Sequence, residues 1–272
     1  MVYASETNRL PPGATAVDVK VSALSYLAHN LFRLGHQDQA LSRAEQAVLW
    51  GRTLRHSHSL AYALWHAAAL HLLCCDEKAA FDPLEEATAI ATQQGFPFWL
   101  ANCTVLRGYV LVTRGEAARG LALALKGHAA MKATGALKTW RLSLLAKCSE
   151  RANQHDAALD LLTQALDFAE RTHERHFEAE LHRMKGEWLL AHRQSEPAEA
   201  ELCFERALAV AQKQNARTFQ LRAATSLARL WLAQGQRDKA RDLLAPIYNW
   251  LTEGLDTPVL REARVTLEKL AA

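Results

Sequence analysis

Ser226-Leu227-Ala228-Arg229-Leu230-Trp231-Leu232-Ala233-Gln234-Gly235-Gln236-Arg237-Asp238-Lys239-Ala240-Arg241-Asp242-Leu243-Leu244 is the stretch whose reading decides the fold. It reads as an amphipathic helix, a tight turn at Gly235 and a second amphipathic helix, which together make one helical hairpin. Ala228 and Ala240 are small residues placed where the two helices would touch, with Trp231 filling the space beside them. Helices approach to about 8–10 Å only where such side chains are small.

The same unit recurs along the chain. Its first small residue falls at Ala28, Ala68, Gly108, Ala146, Gly186 and Ala228. The second falls at Ala40, Ala80, Gly120, Ala158, Ala200 and Ala240. A third follows at Ala47, Ala87, Gly127, Ala165 and Ala207, and is lost at Ile247. The first two are twelve residues apart except in the fifth copy, where the turn Gln194-Ser195-Glu196-Pro197 adds two. The copies span about 17–56, 57–95, 96–135, 136–174, 175–215 and 216–254. Each hairpin leaves an apolar face that its neighbour covers, so residues 17–272 are expected to form a single repeat domain.

Turn chemistry agrees with this division. Gly35, Gly115 and Gly235 suit the left-handed conformation that ends a helix, and Asn153 tolerates it. Cys75 and Arg193 occupy the equivalent places less comfortably, with Asp76 available to cap the next helix. Thr257 and Pro258 start a last helix over 258–270, whose Glu262, Arg264, Glu268 and Lys269 suit a polar-backed cap on the open end. Residues 1–16 carry Pro11-Pro12-Gly13 and no periodicity, and read as a leader or flexible tail.

Composition narrows the function. The chain is 50% hydrophobic and 22% charged, with few Gly and Pro, as suits an all-helical soluble protein. A net charge of +3 is too small to imply nucleic acid or membrane binding. No apolar run reaches membrane-spanning length and no signal peptide is evident. Five scattered Cys without a CxxC pair read as reduced thiols in a cytoplasmic protein. There is no GxxxxGK[ST] or GxGxxG run to cradle phosphates. His173-Glu174-Arg175-His176 is one residue short of HExxH, and His176, Glu180 and His182 lack a convincing third ligand. Carboxylates such as Glu85, Glu86, Glu178 and Glu180 read as solvated helix faces. No catalytic residue, cofactor or metal is expected.

The small-residue spacing and the Gly turns resemble the tetratricopeptide repeat, in copies longer than that family's 34 residues. Four runs, Gln94–Leu100, Glu178–Glu187, Leu221–Trp231 and Ala245–Gly254, resemble the C-terminal repeat region of bacterial predicted signalling ATPases, of the cyclase-linked or maltose-activator type. In such proteins the repeats are often joined to an N-terminal adenylate/guanylate cyclase-type or DNA-binding domain. The resemblance implies an all-α, right-handed superhelical solenoid of six hairpins with a C-terminal capping helix.

It also implies a binding face. In tetratricopeptide-like arrays the first helices line the concave side, through positions three before and one and four after the first small residue. Together with the position six before it, this selects Tyr62, Trp65, Tyr109, Trp140, Lys147, Arg183, Arg222 and Arg229. Early copies would offer aromatic groups and later ones cations, a surface for a peptide with an apolar and an acidic part. The alternative is that the aromatics pack between hairpins and the Arg side chains pair with Glu on adjacent copies.

The expected function is a non-catalytic protein-interaction and sensor module, binding a protein or peptide partner or an attached effector domain in a longer chain. A small-molecule effector site near Trp65, Tyr109 and Trp140, or a scaffold for self-association as a homo-oligomer, are the other readings. Charge reversal at Arg183 and Arg229 together is expected to abolish partner binding and leave the fold intact.

Overall fold

A computed structural model describes residues 16–131, 138–193 and 197–271. The leader up to Thr15, the break at 134–136 between the third and fourth copies, and the turn at 194–196 lie outside the described residues. Among the described residues there are thirteen α-helices and no strand. They are α1 (Val19–Leu34), α2 (Gln37–Thr53), α3 (Ser57–Leu73), α4 (Glu77–Gln93), α5 (Pro97–Thr113), α6 (Ala117–Ala130) and α7 (Lys138–Arg151). There follow α8 (His155–Thr172), α9 (Glu178–His192), α10 (Pro197–Lys213), α11 (Arg217–Ala233), α12 (Arg237–Asn249) and α13 (Pro258–Ala271). A single 3₁₀ turn, Arg175–Phe177, leads into α9.

The chain groups into two compact units, one carrying α1 to α6 except residues 33–36, the other carrying α7 to α13. Each contains hairpins built on the small-residue register. The alanines of that register are at most 2% exposed, from Ala28 to Ala240. In the first unit the α5/α6 hairpin goes further and packs backbone on backbone. A Cβ on Gly108 would lie 2.5 Å from the Ala124 nitrogen, and one on Gly120 would lie 2.5 Å from the Gly108 oxygen. In the second unit a Cβ on Gly186 would meet the Phe204 ring at 2.5 Å, so glycine there makes room for the aromatic of α10.

Left-handed residues end most of the helices. Cys75 (φ 60°) and Asn153 (φ 59°) take this conformation, as do Gly115 and Gly235. In each case the next amide reaches back to close the helix, as in Asp76 N to His71 O at 2.9 Å and Gln236 N to Trp231 O at 2.8 Å. Arg55 (φ 51°), His173 (φ 59°) and Asn215 (φ 53°) are also left-handed in the turns between hairpins, and after Asn215 the Ala216 amide reaches back to the Ala211 carbonyl at 2.9 Å. Arg193 does not; its φ of −129° lies outside the left-handed region.

Asp76 caps α4 by accepting from the Ala79 amide at 2.9 Å. Thr257 spends its hydroxyl differently, donating to the Gly254 carbonyl at 2.6 Å. Helix α13 buries Val259, Leu260, Ala263 and Leu270 and turns Arg261, Glu262, Arg264, Glu268 and Lys269 outward. Its outward face is charged, as a terminal cap requires.

Candidate functional site: the first-helix faces

The first helices α3, α7 and α11 are buried over most of their surface, whereas α1 keeps an exposed side and α5 and α9 are half-buried at several positions. The register one residue after the first small residue is the least covered. In the first unit it holds His29 and Tyr109, both partly exposed, and the buried Ala69. In the second it holds Lys147 and Glu187, partly exposed, and Arg229, whose side chain is 54% exposed.

The aromatic candidates of the first unit lie deeper. Trp65 is 2% exposed and Tyr62 7%. Both rings meet Trp99 of α5, at 5.8 and 5.3 Å between centroids, and Tyr62 lies 4.3 Å from the His66 ring. Trp99 donates its indole N–H to His58 Nε2 at 3.0 Å. His66 and His29 face each other at 3.1 Å between ring nitrogens, joining α3 to α1. Burial, and then the His29 ring, hold the His66 pKa well below the ordinary histidine value. Tyr62 is pushed upward by burial, with the neighbouring Tyr26 adding to the shift. The cluster is thus a packed aromatic seam between α1, α3 and α5.

In the second unit the organising residue is Glu180, which is 1% exposed. Read from sequence it was a solvated carboxylate; the structure corrects this. Glu180 accepts from Arg183 Nη2 at 2.7 Å and Nε at 3.1 Å, a two-pronged pair, and from Arg222 Nη1 at 3.4 Å. Arg183 also reaches Glu187 at 3.3 Å, and Ser226 donates to the same Glu187 oxygen at 2.6 Å. Burial alone would raise the Glu180 pKa, but the Arg183 and Arg222 guanidiniums outweigh it and hold the carboxyl well below the usual range. Burial likewise opposes the charge on Arg183, and Glu180 more than restores it.

The eight sequence candidates therefore fall into distinct places. Tyr62, Trp65 and the 7%-exposed Trp140 are packed. Arg183 and Arg222 are tied to Glu180, with side chains 17% and 10% exposed. Tyr109 and Lys147 are partly accessible, and Arg229 pairs at 2.6 Å with Glu262 on α13. The cations Arg183, Arg222 and Arg229 are matched by as many carboxylates, Glu180, Glu187 and Glu262. Reversing the charge of Arg183 would set two carboxylates together in a buried site, so that variant tests folding rather than binding. The signal that could have revealed Glu180 is the i, i+3 pair Glu180/Arg183 on the most buried side of its helix.

Among the described residues, each unit carries a cavity of about 490 Å³, and neither of these is lined by Trp65, Tyr109 or Trp140. The first is lined by residues of α4, α5 and α6 and the turn after α5, among them Phe81, Val110, Arg107, Arg114 and Lys126. The second lies between α11 and α13 beside Arg229 and Glu262. Among the described residues no three His, Cys, Asp or Glu side chains group as a metal site. No described helix is long and apolar enough to cross a membrane.

No family model matches the sequence, and no curated protein does. Solved structures do match. BtubC (BKLC) from P. vanneervenii aligns at 15% identity over 85% of this chain and 91% of its own, with a TM-score of 0.53. A signal transduction ATPase with numerous domains from Pyrococcus horikoshii, which carries a tetratricopeptide repeat sensor, aligns at 12% identity with a TM-score of 0.53. The alignment covers 92% of this chain but 38% of that protein. The fold is a tetratricopeptide-like repeat solenoid. Such folds are in general protein-interaction scaffolds.

Proposed function

We propose that this repeat solenoid is a non-catalytic protein-interaction module that engages its partner through the accessible register of its first helices. The observation that carries the reading is the selective burial along those helices. Of the candidate registers, this one is the least often buried across the copies, so Tyr109, Lys147, Glu187 and Arg229 are the groups we assign to the partner face. Behind them the Glu180–Arg183–Arg222 cluster holds α9 and α11 in fixed register, so the accessible side chains start from a rigid base. In the second unit, Lys147, Glu187 and Arg229 present charges of both signs and suit a partner segment that is itself mixed in charge, while in the first unit Tyr109 offers an apolar contact.

The finer reading is that the module serves as the sensor arm of a signalling ATPase or cyclase-type regulator. Four sequence runs resemble that class, and the Pyrococcus horikoshii protein uses a repeat of this fold as its sensor. In that setting, partner binding would shift the equilibrium of an attached effector domain.

Site-specific photocrosslinking tests the face. A benzophenone side chain placed at Tyr109, Lys147 or Arg229 should capture one common polypeptide in the source cell. The same group at Glu45 or Glu205, exposed on second helices, should not. Equal capture from both sets, or capture from the second helices alone, removes the assignment.

A further inference from the structure

The cavity among α4, α5 and α6 occupies a place that the second unit fills with its own side chain. There Trp231 of α11 is 6% exposed. Its indole N–H donates to Glu201 Oε1 of α10 at 2.7 Å, and Lys239 Nζ of α12 lies 3.7 Å from the ring centroid. Lys239 also reaches the same Glu201 oxygen at 3.4 Å. A ring, a carboxylate and a cation thus close that groove together. In the hairpin before, an indole stands one register position earlier, as the buried Trp188 of α9.

The small-residue register gives the counterparts in the first unit. Glu201 follows Ala200 as Phe81 follows Ala80. Trp231 stands three residues after Ala228 as Leu111 stands three after Gly108, and Lys239 precedes Ala240 as Arg119 precedes Gly120. All three counterparts line the cavity of about 490 Å³. The cation is kept, but a leucine stands for the indole and a phenyl ring for the carboxylate, and the groove is open. Its volume lies within the range of about 300–1,000 Å³ usual for small-molecule sites. Leu84 and Val110, 1% and 3% exposed, add apolar lining. Four cations line it against one carboxylate, Glu85. Arg107 pairs with Glu85 at 2.8 Å, and Arg119 with Glu116 at 2.7 Å. Arg114 lies over the Phe81 ring at 4.4 Å. Neither Arg114 nor Lys126 meets a carboxylate within ion-pair distance among the described residues.

We infer that this cavity is a binding site for a small aromatic carboxylate, whose ring takes the place of the Trp231 indole and whose anionic group meets Arg114 and Lys126. Such a molecule supplies the two components that this copy lacks beside the cation it retains. A neutral aromatic would leave both cations unmatched. The cavity shares no residue with the line of Tyr109, Lys147, Glu187 and Arg229 proposed above, so failure of either assignment leaves the other standing.

The probe is indole-3-propionate, titrated calorimetrically into the whole chain at neutral pH and low salt. One site per chain with a Kd below about 1 mM is expected. Indole-3-propanamide, which has the ring without the charge, should bind at least about ten-fold more weakly. Arg114 and Lys126 are exposed, so Arg114→Ala and Lys126→Glu spare the fold, as circular dichroism would confirm. Each should weaken binding of the acid by about five-fold or more. Leu111→Trp supplies the chain's own indole and should abolish binding without lowering the thermal midpoint. No saturable binding, equal binding of acid and amide, or binding indifferent to the two charge variants overturns the inference. A blocked Gly-Glu-Trp-Gly peptide that binds more tightly than the free acid also overturns it, since the occupant would then be a partner protein's side chain.

Discussion

His66 shows how a single buried group shapes the behaviour of the fold. Its pKa lies well below that of an unfolded histidine, so the unfolded chain binds the extra proton first as pH falls. The stabilising contribution is complete above the unfolded pKa and is lost as pH drops from about 6.5 towards the folded value, at up to about 1.4 kcal/mol per pH unit. Urea melts at pH 7 and pH 5 should therefore show a loss that His66→Phe reduces; an unchanged loss would place the acid sensitivity elsewhere. Cysteine reactivity is set by the same burial. Cys103 and Cys148 are pushed up to about 12 by desolvation, and Cys75 alone among the five is exposed. Brief iodoacetamide treatment followed by mass spectrometry should label Cys75 well ahead of the other four. Cys75 also sits at φ 60°, where glycine carries no Cβ penalty, so Cys75→Gly should stabilise the chain by about 1 kcal/mol in a denaturant melt.

At the scale of elements, hairpin packing is governed by the closest approaches. Gly108→Ala gains about 1 kcal/mol of helix propensity but drives a methyl into the Gly120 and Ala124 backbone, which cannot rotate away. The net expectation is a loss of about 1–2 kcal/mol, with the same sign for Gly120→Ala, measured by thermal unfolding. A gain in stability would mean that α5 and α6 can separate without cost. The Glu180 cluster is the corresponding device between α9 and α11. Removing one member of a buried ion pair costs about 3–5 kcal/mol because the other charge stays buried, so Arg183→Ala should be strongly destabilising. Arg229→Ala, which breaks an exposed pair with Glu262, should cost under about 1 kcal/mol. Comparable losses from the two variants would contradict this assignment.

For the whole molecule, stability in a repeat chain is a sum of local and nearest-neighbour terms, so damage stays near its source. Hydrogen exchange on the Arg183→Ala chain should show faster exchange in α9 and α11 and unchanged protection in α3 and α5. Uniform acceleration along the chain would instead mark one cooperative unit.

Much of this was legible in the residues. Ala228, Gly235 and Ala240, repeated in register, determine helical hairpins because only small side chains let two helices touch and only a permissive residue turns the chain so sharply. The Asp76 cap and the polar back of α13 follow from equally local chemistry. What the linear pattern could not reveal was depth. Tyr62 and Trp65 had the spacing of a lining and the burial of a seam, because Trp99 of the neighbouring first helix closes over them, and Trp140 is as deeply buried. Glu180 had the look of a solvated carboxylate until Arg222, forty-two residues away, came within 3.4 Å. Burial and charge pairing are properties of the space between elements, and only the tertiary structure decides which side chains share it.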